Sequence, residues 1–385
     1  MKIFSFQKKY NIPSIDYGLI WTSLLLIGIG LVMVYSASID IAASRKALDY
    51  QNYYYLMRQS VYILIGFMFG YITFLMPVYF WQKMAPFLFI LGITLLIIVL
   101  VIGVEINRSQ RWISLGVVNF QPSELVKLFT VMYASDYVLR KSKQMRTIVK
   151  GFLPMLGIIV LTGILLLRQP DFGALAVITM IAMGILFLGG LSYKIFTGLV
   201  ISAPIIIYYL ITLSQERSNR ITAWVDPWSV RWDEGYQLTN ALMAFGRGEF
   251  LGVGLGGSVA KLGYLPEPHT DFLLAILGEE FGLFGVAIVI GLFSYLVLKI
   301  FGIAKESIQN KKHFSALMAQ GIAIWFAVQG IINMGVNLGA VPTKGLTLPL
   351  MSYGGTGIIV NMVALAIILR IDHDNRSNMR GQYYK

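Results

Sequence analysis

Cysteine is absent from the sequence, and charged residues are scarce, at 13% of the chain. The absence of cysteine excludes disulfide bonds and thiolate metal sites. Hydrophobic residues occupy 57% of the 385 positions, a share far above that of soluble globular proteins. A chain with so much apolar surface and so little charge must lie in a lipid bilayer.

The sequence also lacks an internal repeat of fixed period, a low-complexity tract and a single basic face. Its formal net charge is +12, but the basic residues are scattered over segments between apolar runs, so a nucleic-acid partner is not expected. Membrane topology and anionic lipid account for them better. We expect one compact membrane domain over residues 1–385.

Long apolar runs are frequent along the chain. A helix needs about 20 residues to cross a hydrocarbon core of about 30 Å, because each residue adds about 1.5 Å. The sequence therefore predicts an all-α membrane protein, a bundle of ten transmembrane helices. They lie near residues 17–37, 59–79, 85–104, 123–140, 151–168, 172–190, 194–212, 270–298, 314–337 and 347–370.

Basic residues near the helix ends predict the orientation. They concentrate on the short segments that share a side with the N-terminal tail, residues 1–16, and cytoplasmic segments are enriched in Lys and Arg. Both termini are therefore predicted to be cytoplasmic, including the tail at 371–385. Lys2, Lys8 and Lys9 before the first apolar run resemble a signal peptide, but the run is too long for one, and we expect a retained anchor.

Residues 213–269, between the seventh and eighth predicted helices, form a large outer loop. A loop of this length inside a compact domain is usually functional or disordered. Its apolar and aromatic residues, Trp224, Trp228 and Trp232 among them, argue against disorder. The stretch YQLTNALMAFGRGEFLGVGLGGSVAKL within it predicts a short amphipathic helix followed by a glycine-rich turn.

Two ionisable residues, Glu124 and Lys127, fall within the predicted fourth helix. A charge inside a membrane is costly, so each needs a partner or a water-filled cavity. Three residues apart, they share a helix face and can partly neutralise each other. The pair is either a structural ion pair between helices or a carboxylate and a cation that face an outer cavity.

Asp271 stands where the predicted eighth helix begins, after Glu267 and His269 in the stretch GYLPEPHTDF. A carboxylate in the first turn of a helix is favourable as a cap or as a partner of the helix dipole. The alternative is a general base at the outer membrane surface, because partial burial raises a carboxyl pKa toward working pH. Glu279 and Glu280, deeper in this helix, are assigned mainly to packing against Lys or Arg of neighbouring elements.

Six basic residues of the outer loops are predicted to bind a phosphate or pyrophosphate, because Arg and Lys donate charge-assisted hydrogen bonds to such anions. A single surface cation usually only extends toward water. Six basic residues on the side where the orientation rule expects few make this explanation weaker for the group as a whole. They are Arg108, Arg111, Arg217, Arg220, Lys261 and Lys344.

Two glycine patterns match known sequence motifs. Gly252, Gly254 and Gly257 match G-x-G-x-x-G, but no strand precedes them and no βαβ unit surrounds them, so a nucleotide site is not expected. Gly66 and Gly70 form G-x-x-x-G, which predicts a close contact between helices.

The segment LMSYGGTG, residues 350–357, interrupts the start of the last predicted helix. Irregular backbone at membrane depth is tolerated only where it is buried in protein or lines a cavity. We therefore expect this segment, with Ser352, to help form the same outer pocket.

Together these stretches resemble the SEDS family (shape, elongation, division and sporulation), and its division branch, known as FtsW, more than its elongation branch, known as RodA. The resemblance runs in order along nearly the whole chain, and the phrases MAFGRG, SVAKL and PTKGL favour the division branch. The matching stretches are MVYSAS at 33–38, RWISLGVVNFQPSELVKL at 111–128, QPDFG at 169–173, YQLTNALMAFGRGEFLGVGLG at 236–256, KLGYLPEPHTDF at 261–272 and PTKGLTLPLMSYGGTG at 342–357.

The resemblance implies ten helices, inner termini and a large outer loop before the eighth helix. It also implies an activity, because members of the family polymerise lipid II, an undecaprenyl-pyrophosphate-linked disaccharide-pentapeptide, into glycan strands. Asp271 would then be the catalytic base that deprotonates the 4-hydroxyl of the acceptor's N-acetylglucosamine. That hydroxyl would attack the anomeric carbon of the donor's N-acetylmuramic acid and invert the linkage from α to β.

Seven further side chains are predicted to contact the substrate. Among them, the cations of the outer loops would hold the leaving pyrophosphate, and the polar pair of the fourth helix would line the cavity. They are Arg111, Glu124, Lys127, Arg220, Lys261, His269 and Ser352. A divalent cation, Mg²⁺ or Mn²⁺, would stabilise the pyrophosphate as a Lewis acid; its ligands stay unassigned, and no organic cofactor is expected.

Two other classes of function compete with polymerisation. A transporter that flips the lipid-linked precursor would place its ionisable groups at the midplane of repeated halves, whereas here they crowd the outer mouth. A scaffold for division proteins can coexist with catalysis, because the family works beside a class B penicillin-binding protein that crosslinks the strands. We expect a multi-pass protein of the bacterial inner membrane at the division septum, with this transpeptidase and other division proteins as partners.

Overall fold

The computed structural model describes residues 15–44, 51–106, 109–114, 119–213 and 215–383. Its apolar runs are helices, because a helix satisfies its own backbone N–H and C=O groups where no water can. Within these ranges, seven helices are long and apolar enough to cross a membrane by length and composition. Phe172–Leu188 and Tyr193–Ile205 are shorter apolar helices.

Each of the ten predicted spans falls mainly on one helix, although only seven of the described helices meet the length and hydropathy of a membrane span. Pro77 and Pro122, at or just before the first turn of a helix, suit these positions because proline has no N–H to leave unpaired there. In chain order, the helices are α1 Tyr17–Ser44, α2 Tyr54–Leu75, α3 Val78–Ile102, α4 Pro122–Arg140, α5 Leu153–Arg168, α6 Phe172–Leu188, α7 Tyr193–Thr212, α8 Gln215–Val225, α9 Tyr236–Gly248, α10 Leu273–Gln309, α11 His313–Asn337 and α12 Gly355–Tyr383.

The large outer loop contains α8 and α9. The amphipathic helix predicted at its YQLTNALMAFGRG stretch is α9, which buries Leu238 and Ala241. A shorter helical turn, Ala260–Tyr264, follows the glycine-rich segment. The loop is thus a folded part of the bundle rather than a separate domain.

A small antiparallel sheet joins α3 to α4. The all-α prediction did not include it. Its strands are β1 Val104–Ile106, β2 Ser109–Ser114 and β3 Asn119–Phe120, in the order β1-β2-β3. Strands this short leave too few alternating positions for a sequence pattern to reveal them. The sheet matters for the site because β2 carries Arg111.

Two helices, α4 and α11, occupy the centre of the bundle and are buried over most of their length. They contact each other, and both contact α6, while α10 packs on α11 and α12 packs on α2. Trp325, Phe326 and Met132 are completely buried among them. Polar side chains on α4 and α11 therefore lie in the protein interior and need partners there.

The close helix contact predicted from G-x-x-x-G is confirmed between α2 and α12. A Cβ at Gly66 would collide with the sulfur of Met362, and one at Gly70 would lie 3.6 Å from the Cβ of Ala366. Small residues let the two backbones approach, which is how helices associate without a hydrophobic driving force in lipid.

A break in α10 receives the glycine-rich loop. Gly282 has φ of 62° inside the helix, a conformation that glycine adopts without the steric cost of a side chain. The freed carbonyls of Glu279 and Glu280 accept hydrogen bonds from the backbone N–H groups of Val253 and Gly254, each at 3.0 Å. Gly254 and Gly282 therefore allow the backbone of the loop to pack against α10.

The beginning of α1 and the last turns of α12 meet at one end of the bundle. The Asp16 carboxylate lies 3.0 Å from Arg376 of α12 and 3.3 Å from Lys299 of α10. Asp271, which precedes α10, lies at the other end of that helix. Acidic side chains thus lie at both ends of the bundle, in different surroundings.

Candidate active site

Asp271 lies in a turn two residues before α10 begins at Leu273. Its carboxylate faces the segment that precedes α12, where a Cβ added to Gly345 would lie 3.0 Å from Oδ2. The side chain is partly exposed. To the residues that the structure describes, this carboxylate forms no hydrogen bond or ion pair, so it is available to a ligand.

Two buried asparagines of α11 hold the main chain at Asp271. The side-chain amides of Asn333 and Asn337 each donate to the Asp271 carbonyl oxygen at 2.9 Å. Asn337 Oδ1 accepts from the N–H of Ala275 at 3.1 Å, and the Asn333 amide also donates to the carbonyl of Leu346. The backbone on both sides of the carboxylate is therefore tied to one rigid helix.

The surroundings of Asp271 raise its pKa from the ordinary aspartate value to about 7. Burial among protein atoms is the largest cause, and the negative charges of Glu267 and Asp171 act in the same direction. The positive charge of Arg111 opposes them. A carboxylate with a pKa close to neutral can accept and release a proton under ordinary conditions.

Arg111, on β2, reaches the start of α6. Its Nε donates to the carbonyl of Gln169 at 3.3 Å, and a terminal nitrogen donates to the carbonyl of Pro170. Another terminal nitrogen lies 3.8 Å from Asp171 Oδ1. The guanidinium is thereby fixed beside Asp171, with about a fifth of its side chain exposed, and its positive charge also acts on Asp271.

Asp171 begins α6 and links it to α4. Its Oδ1 accepts from the N–H of Ala174 at 3.1 Å, as an N-cap does, and its Oδ2 accepts from the Ser123 hydroxyl at 3.1 Å. An N-cap carboxylate compensates the unpaired N–H groups of a first helical turn. The Asp171 carboxylate thus has structural partners, whereas the Asp271 carboxylate has none among the described residues.

Two more cations approach the same place from other elements. The Arg217 guanidinium of α8 lies 4.1 Å from the ring centre of Phe172, and the Lys344 ammonium lies 4.9 Å from it. Both are cation–π distances. Arg111, Arg217 and Lys344, here called the outer cation group, therefore surround the start of α6.

Glu124 and Lys127 form a buried ion pair. The Lys127 ammonium lies 2.9 and 2.8 Å from the two carboxylate oxygens of Glu124, and it donates to Gln329 Oε1 at 2.7 Å. The indole N–H of Trp325 donates to the same oxygen at 2.8 Å. Since Lys127 is completely buried, this arrangement is that of the structural alternative, a pair that ties α4 to α11.

Lys261 has surroundings that differ from those expected of a pyrophosphate-binding cation. Its ammonium is buried and lies 3.0 Å from Glu280, 3.1 Å from the Ser36 hydroxyl and 2.8 Å from the carbonyl of Gly256. An ammonium has three protons to donate, so these acceptors engage it fully. The structure does not bring Lys261 into contact with Arg111, because its partners come from α1 and α10.

The packing role predicted for Glu279 and Glu280 is confirmed. Glu280 is the ion-pair partner of Lys261. Glu279 accepts hydrogen bonds from the Ser258 hydroxyl at 2.5 Å and from the N–H of Val259 at 2.9 Å, and it lies 3.5 Å from Arg247 of α9. Both carboxylates fasten the outer loop to α10.

Three other predicted site residues lie among the described ranges, His269, Ser352 and Arg220. The His269 ring packs 4.4 Å from the Tyr55 ring and 5.4 Å from the Tyr353 ring, centre to centre. Ser352 accepts from the N–H of Leu348 at 2.9 Å. Arg220 lies on α8, partly exposed, and Arg108, the sixth predicted outer cation, falls outside the described residues.

The sequence analysis missed Asp171, Asn333 and Asn337 as members of the site. Asp171 stood inside the QPDFG stretch, where an acid before an apolar run is an N-cap signal. Asn333 and Asn337 follow Gln329 at four-residue spacing in a mostly apolar helix, which places all three on one face. A polar stripe of that kind inside a membrane helix signals buried partners.

Groups of three or more His, Cys, Asp or Glu residues that could hold a metal ion do not occur among the described residues. The two aspartates of the site share the positive charge of Arg111 instead. The described donors in this region therefore do not fit a metal site.

The chain is similar to known proteins over nearly its whole length. A sequence model for a family described as cell cycle proteins, FtsW, RodA and SpoVE, matches residues 17–377. A protein of Burkholderia thailandensis, named probable peptidoglycan glycosyltransferase FtsW, is 51% identical over 370 residues, which cover 95% of this chain and 80% of the relative. One of the same name from Aromatoleum aromaticum is 50% identical over 373 residues, 96% of this chain and 91% of the relative.

Solved structures show the same fold. A chain from a peptidoglycan synthase complex, described as coordinating polymerization and crosslinking, aligns with a TM-score of 0.78 at 25% identity, covering 94% of this chain and 98% of that one. The rod shape determining protein RodA of Thermus thermophilus aligns with a TM-score of 0.68 at 25% identity, covering 94% and 97%. The predicted resemblance is confirmed: this chain belongs to the FtsW, RodA and SpoVE family of cell cycle proteins.

Proposed function

We propose that this chain is a peptidoglycan glycosyltransferase that polymerises lipid II into glycan strands, with Asp271 as its general base. One observation carries the assignment of the base: the Asp271 carboxylate, whose pKa is about 7, makes no ion pair with a described residue. The names of relatives that are about half identical over nearly the whole chain support the reaction class.

The reaction moves one proton and exchanges one bond. Asp271 accepts the proton of the acceptor's 4-hydroxyl as that oxygen bonds to the anomeric carbon of the donor sugar. The bond from this carbon to the phosphate oxygen breaks, and its electron pair leaves with the undecaprenyl pyrophosphate. Attack from the face opposite the leaving group inverts α to β. A base whose pKa lies near the working pH suits this transfer.

In this proposal the outer cation group stabilises the negative charge that develops on the leaving diphosphate. Arg111, Arg217 and Lys344 approach from β2, from α8 and from the segment before α12. Cations that are already in position need no rearrangement as charge develops. Arg220, one turn after Arg217 on α8, is a further candidate for the diphosphate.

In this proposal, Asn333 and Asn337 position the base. Their amides fix the Asp271 carbonyl, so the carboxylate starts from a defined backbone rather than from a free loop. A misplacement of about 1 Å can lower a rate about a hundredfold. The two asparagines act through Asp271 and need not touch substrate.

The other residues that were predicted to contact the substrate have smaller roles in this proposal. Glu124, Lys127, His269 and Ser352 shape the interior next to the base and would meet the substrate only where it displaces their present partners. Lys261 is assigned to fastening the outer loop, because its contact with Glu280 would have to break first. A divalent cation would arrive with the pyrophosphate, and the steps above require only side chains of this chain.

The proposal includes a partner and a location. The related synthase complex is described as coordinating polymerization with crosslinking, which supports a class B penicillin-binding protein as the transpeptidase partner. The similarity to proteins named FtsW supports a place among the division proteins at the septum of the bacterial inner membrane. Cytoplasmic termini follow from the charge distribution, and the contact between Asp16 and Arg376 agrees with both lying on one side.

The test is polymerisation by the purified chain with its transpeptidase partner, given lipid II and Mg²⁺ or Mn²⁺. We expect glycan polymer from the unaltered protein and a loss of at least about a hundredfold in Asp271→Asn, the usual size of a general-base contribution. Asp16→Asn is the matched control, because it removes a partly buried acid at the opposite end of the bundle and leaves the proposed base intact.

Three outcomes distinguish the candidate functions. Normal polymer from Asp271→Asn would disprove the assigned base. Movement of lipid II across vesicles with no polymer would favour the transporter, and neither activity together with intact partner binding would favour the scaffold. A thermal unfolding measurement on each variant separates loss of chemistry from loss of fold.

A further inference from the structure

A polar groove opens between α3 and α4 at the end of these helices that lies away from the sheet and Arg111. It has a volume of about 310 Å³ and is lined by Tyr79, Gln82, Lys83, Pro86, Asp136 and Arg140. These residues belong to the first turns of α3 and the last turn of α4. The groove is therefore at a membrane surface, on the side predicted to be cytoplasmic.

The charges in the groove are arranged to receive an anion. Asp136 is buried, and its Oδ2 accepts from Arg140 Nε at 2.6 Å, so the one acid of the lining is already neutralised and holds the guanidinium in place. About half of the Arg140 side chain stays exposed. Lys83, across the groove, forms no ion pair with a described residue and supplies a second, unneutralised positive charge.

The segment that leaves the groove extends this positive surface. Residues 140–150 contain five basic residues, Arg140, Lys141, Lys143, Arg146 and Lys150, and no acid. Apolar side chains follow in the same segment, where Ile148 and Val149 are more than half exposed. On α3, Phe80 and Phe87 are also exposed, so apolar surface for acyl chains lies directly beside the cations.

We infer that this groove binds the headgroup of an anionic phospholipid from the surrounding leaflet, with its phosphate between Lys83 and Arg140. Basic pockets between membrane helices on the cytoplasmic side are where acidic headgroups bind, and Arg with Lys provides charge-assisted hydrogen bonds to phosphate. A phospholipid fits the place better than a soluble anion, because only a lipid also covers the exposed apolar faces of α3 and of Ile148 and Val149.

The site is separate from the proposed reaction. Its residues lie at the opposite ends of α3 and α4 from the sheet that carries Arg111. The inference therefore does not depend on the chain being a glycosyltransferase, and binding can be measured without lipid II.

The experiment is native mass spectrometry of the full chain released from nanodiscs that contain equal amounts of phosphatidylglycerol and phosphatidylcholine. We expect preferential retention of phosphatidylglycerol and an approximately fivefold decrease in Lys83→Ala, as expected from loss of one charge-assisted contact. Arg140→Gln should decrease retention similarly. Lys305→Ala, an exposed lysine at the same end of the bundle, is the matched control and should retain as much lipid as the unaltered chain.

Equal retention of the two lipids, or equal losses in Lys83→Ala and Lys305→Ala, would overturn the inference and leave only general surface attraction. Displacement of bound phosphatidylglycerol by soluble glycerol phosphate at millimolar concentration would also overturn it, because the groove would then recognise the phosphate without the chains. Removal of Arg140 leaves the buried Asp136 without its ion-pair partner. Thermal unfolding is therefore measured on each variant. If Arg140→Gln is unfolded, the result for Lys83→Ala alone decides whether the inference holds.

Discussion

Asp16 and Asp271 are two carboxylates at opposite ends of the bundle, each just before a long helix, and their surroundings differ in charge. Asp16 lies 3.0 Å from Arg376 and 3.3 Å from Lys299. Asp271 has no such contact with a described residue. The positive charge that acts to lower its pKa is that of Arg111, which also forms an ion pair with Asp171. The chain thus neutralises one acid and leaves the other available.

The two pKa values shift in opposite directions for this reason. Burial acts to raise the pKa of Asp16, but the hydrogen bond from the Leu19 N–H and the charges of Lys299 and Arg376 outweigh it and lower the pKa. At Asp271, burial is again the largest cause, and Glu267 adds to it, so the pKa rises to about 7. Burial alone does not identify a reactive acid; burial without a dedicated cation does.

After the loss of activity in Asp271→Asn, the largest expected effect is the pH dependence of polymerisation. Because Asp271 must be deprotonated to act as a base, the rate should fall about 50-fold between pH 7 and pH 5, as the deprotonated fraction decreases about tenfold per pH unit. Glu267→Gln should move this acid limb to lower pH, because a negative neighbour that raises the pKa is removed. Initial rates against pH are the measurement. A limb near pH 4 in the unaltered protein would contradict the poised carboxylate.

Loss of the backbone support should have the next largest effect. Asn333→Ala removes one of the two amides on the Asp271 carbonyl and should lower kcat about tenfold with KM within about threefold, because positioning affects the chemical step. Asn361→Ala is the matched control, a buried asparagine of α12. If both variants lose the same activity, in proportion to a lowered Tm, then Asn333 acts on stability and not on the base.

A smaller effect is expected at the outer cation group. Arg217→Gln and Lys344→Gln should each lower kcat/KM about fivefold, since each removes about 1 kcal/mol of attraction to a diphosphate in partly exposed surroundings. The loss should shrink at high salt, which screens exposed charges. Steady-state rates at two ionic strengths measure it. An unchanged kcat/KM in both variants would remove these residues from the diphosphate site.

The smallest effect on activity should come from Asp16→Asn, which affects stability instead. The folded pKa of Asp16 is lowered, so its stabilisation is present above the ordinary aspartate pKa and is lost as pH falls through the folded value. At pH 7 the variant should lose about 1 to 3 kcal/mol of unfolding free energy. Its polymerisation should stay near that of the unaltered protein.

Asp271→Asn should change stability in the opposite direction. The folded pKa is raised to about 7, so the native state binds more protons than the unfolded state between that value and the ordinary aspartate pKa, and stability falls as pH rises through this window. Removing the charge should therefore raise Tm at pH 8 more than at pH 4. A lower Tm in Asp271→Asn at pH 8 would show that the carboxylate has a stabilising partner.

Several parts of the molecule could be predicted from the chain alone. Apolar runs predicted the helices, because their length must match the bilayer, and Gly66 with Gly70 predicted the contact of α2 with α12. The sheet that carries Arg111 was missed, since two- to six-residue strands leave too short a pattern. The start of α12 was placed too early, because apolar residues before Gly355 belong to an irregular segment.

Within the site, Asp271 could be singled out by its position, but its neighbours could not. Lys261 was expected beside the pyrophosphate, yet Ser36 of α1 and Glu280 of α10 surround its ammonium. The asparagines that hold Asp271 lie 62 and 66 residues further along the chain. Contacts at such separations depend on which helices pack together, and a single sequence does not contain that information.

The amino-acid sequence by itself determined that this chain is a membrane bundle with a folded outer loop, because hydrophobic length and backbone hydrogen bonding in lipid permit little else. Only the tertiary structure decided which acids are neutralised: Asp16 meets a cation 360 positions away, Glu280 meets a hydroxyl 244 positions away, and Asp271 meets neither among the residues that the structure describes. The physical reason is that a pKa depends on distances to other charges and on local burial, and both arise when the helices pack.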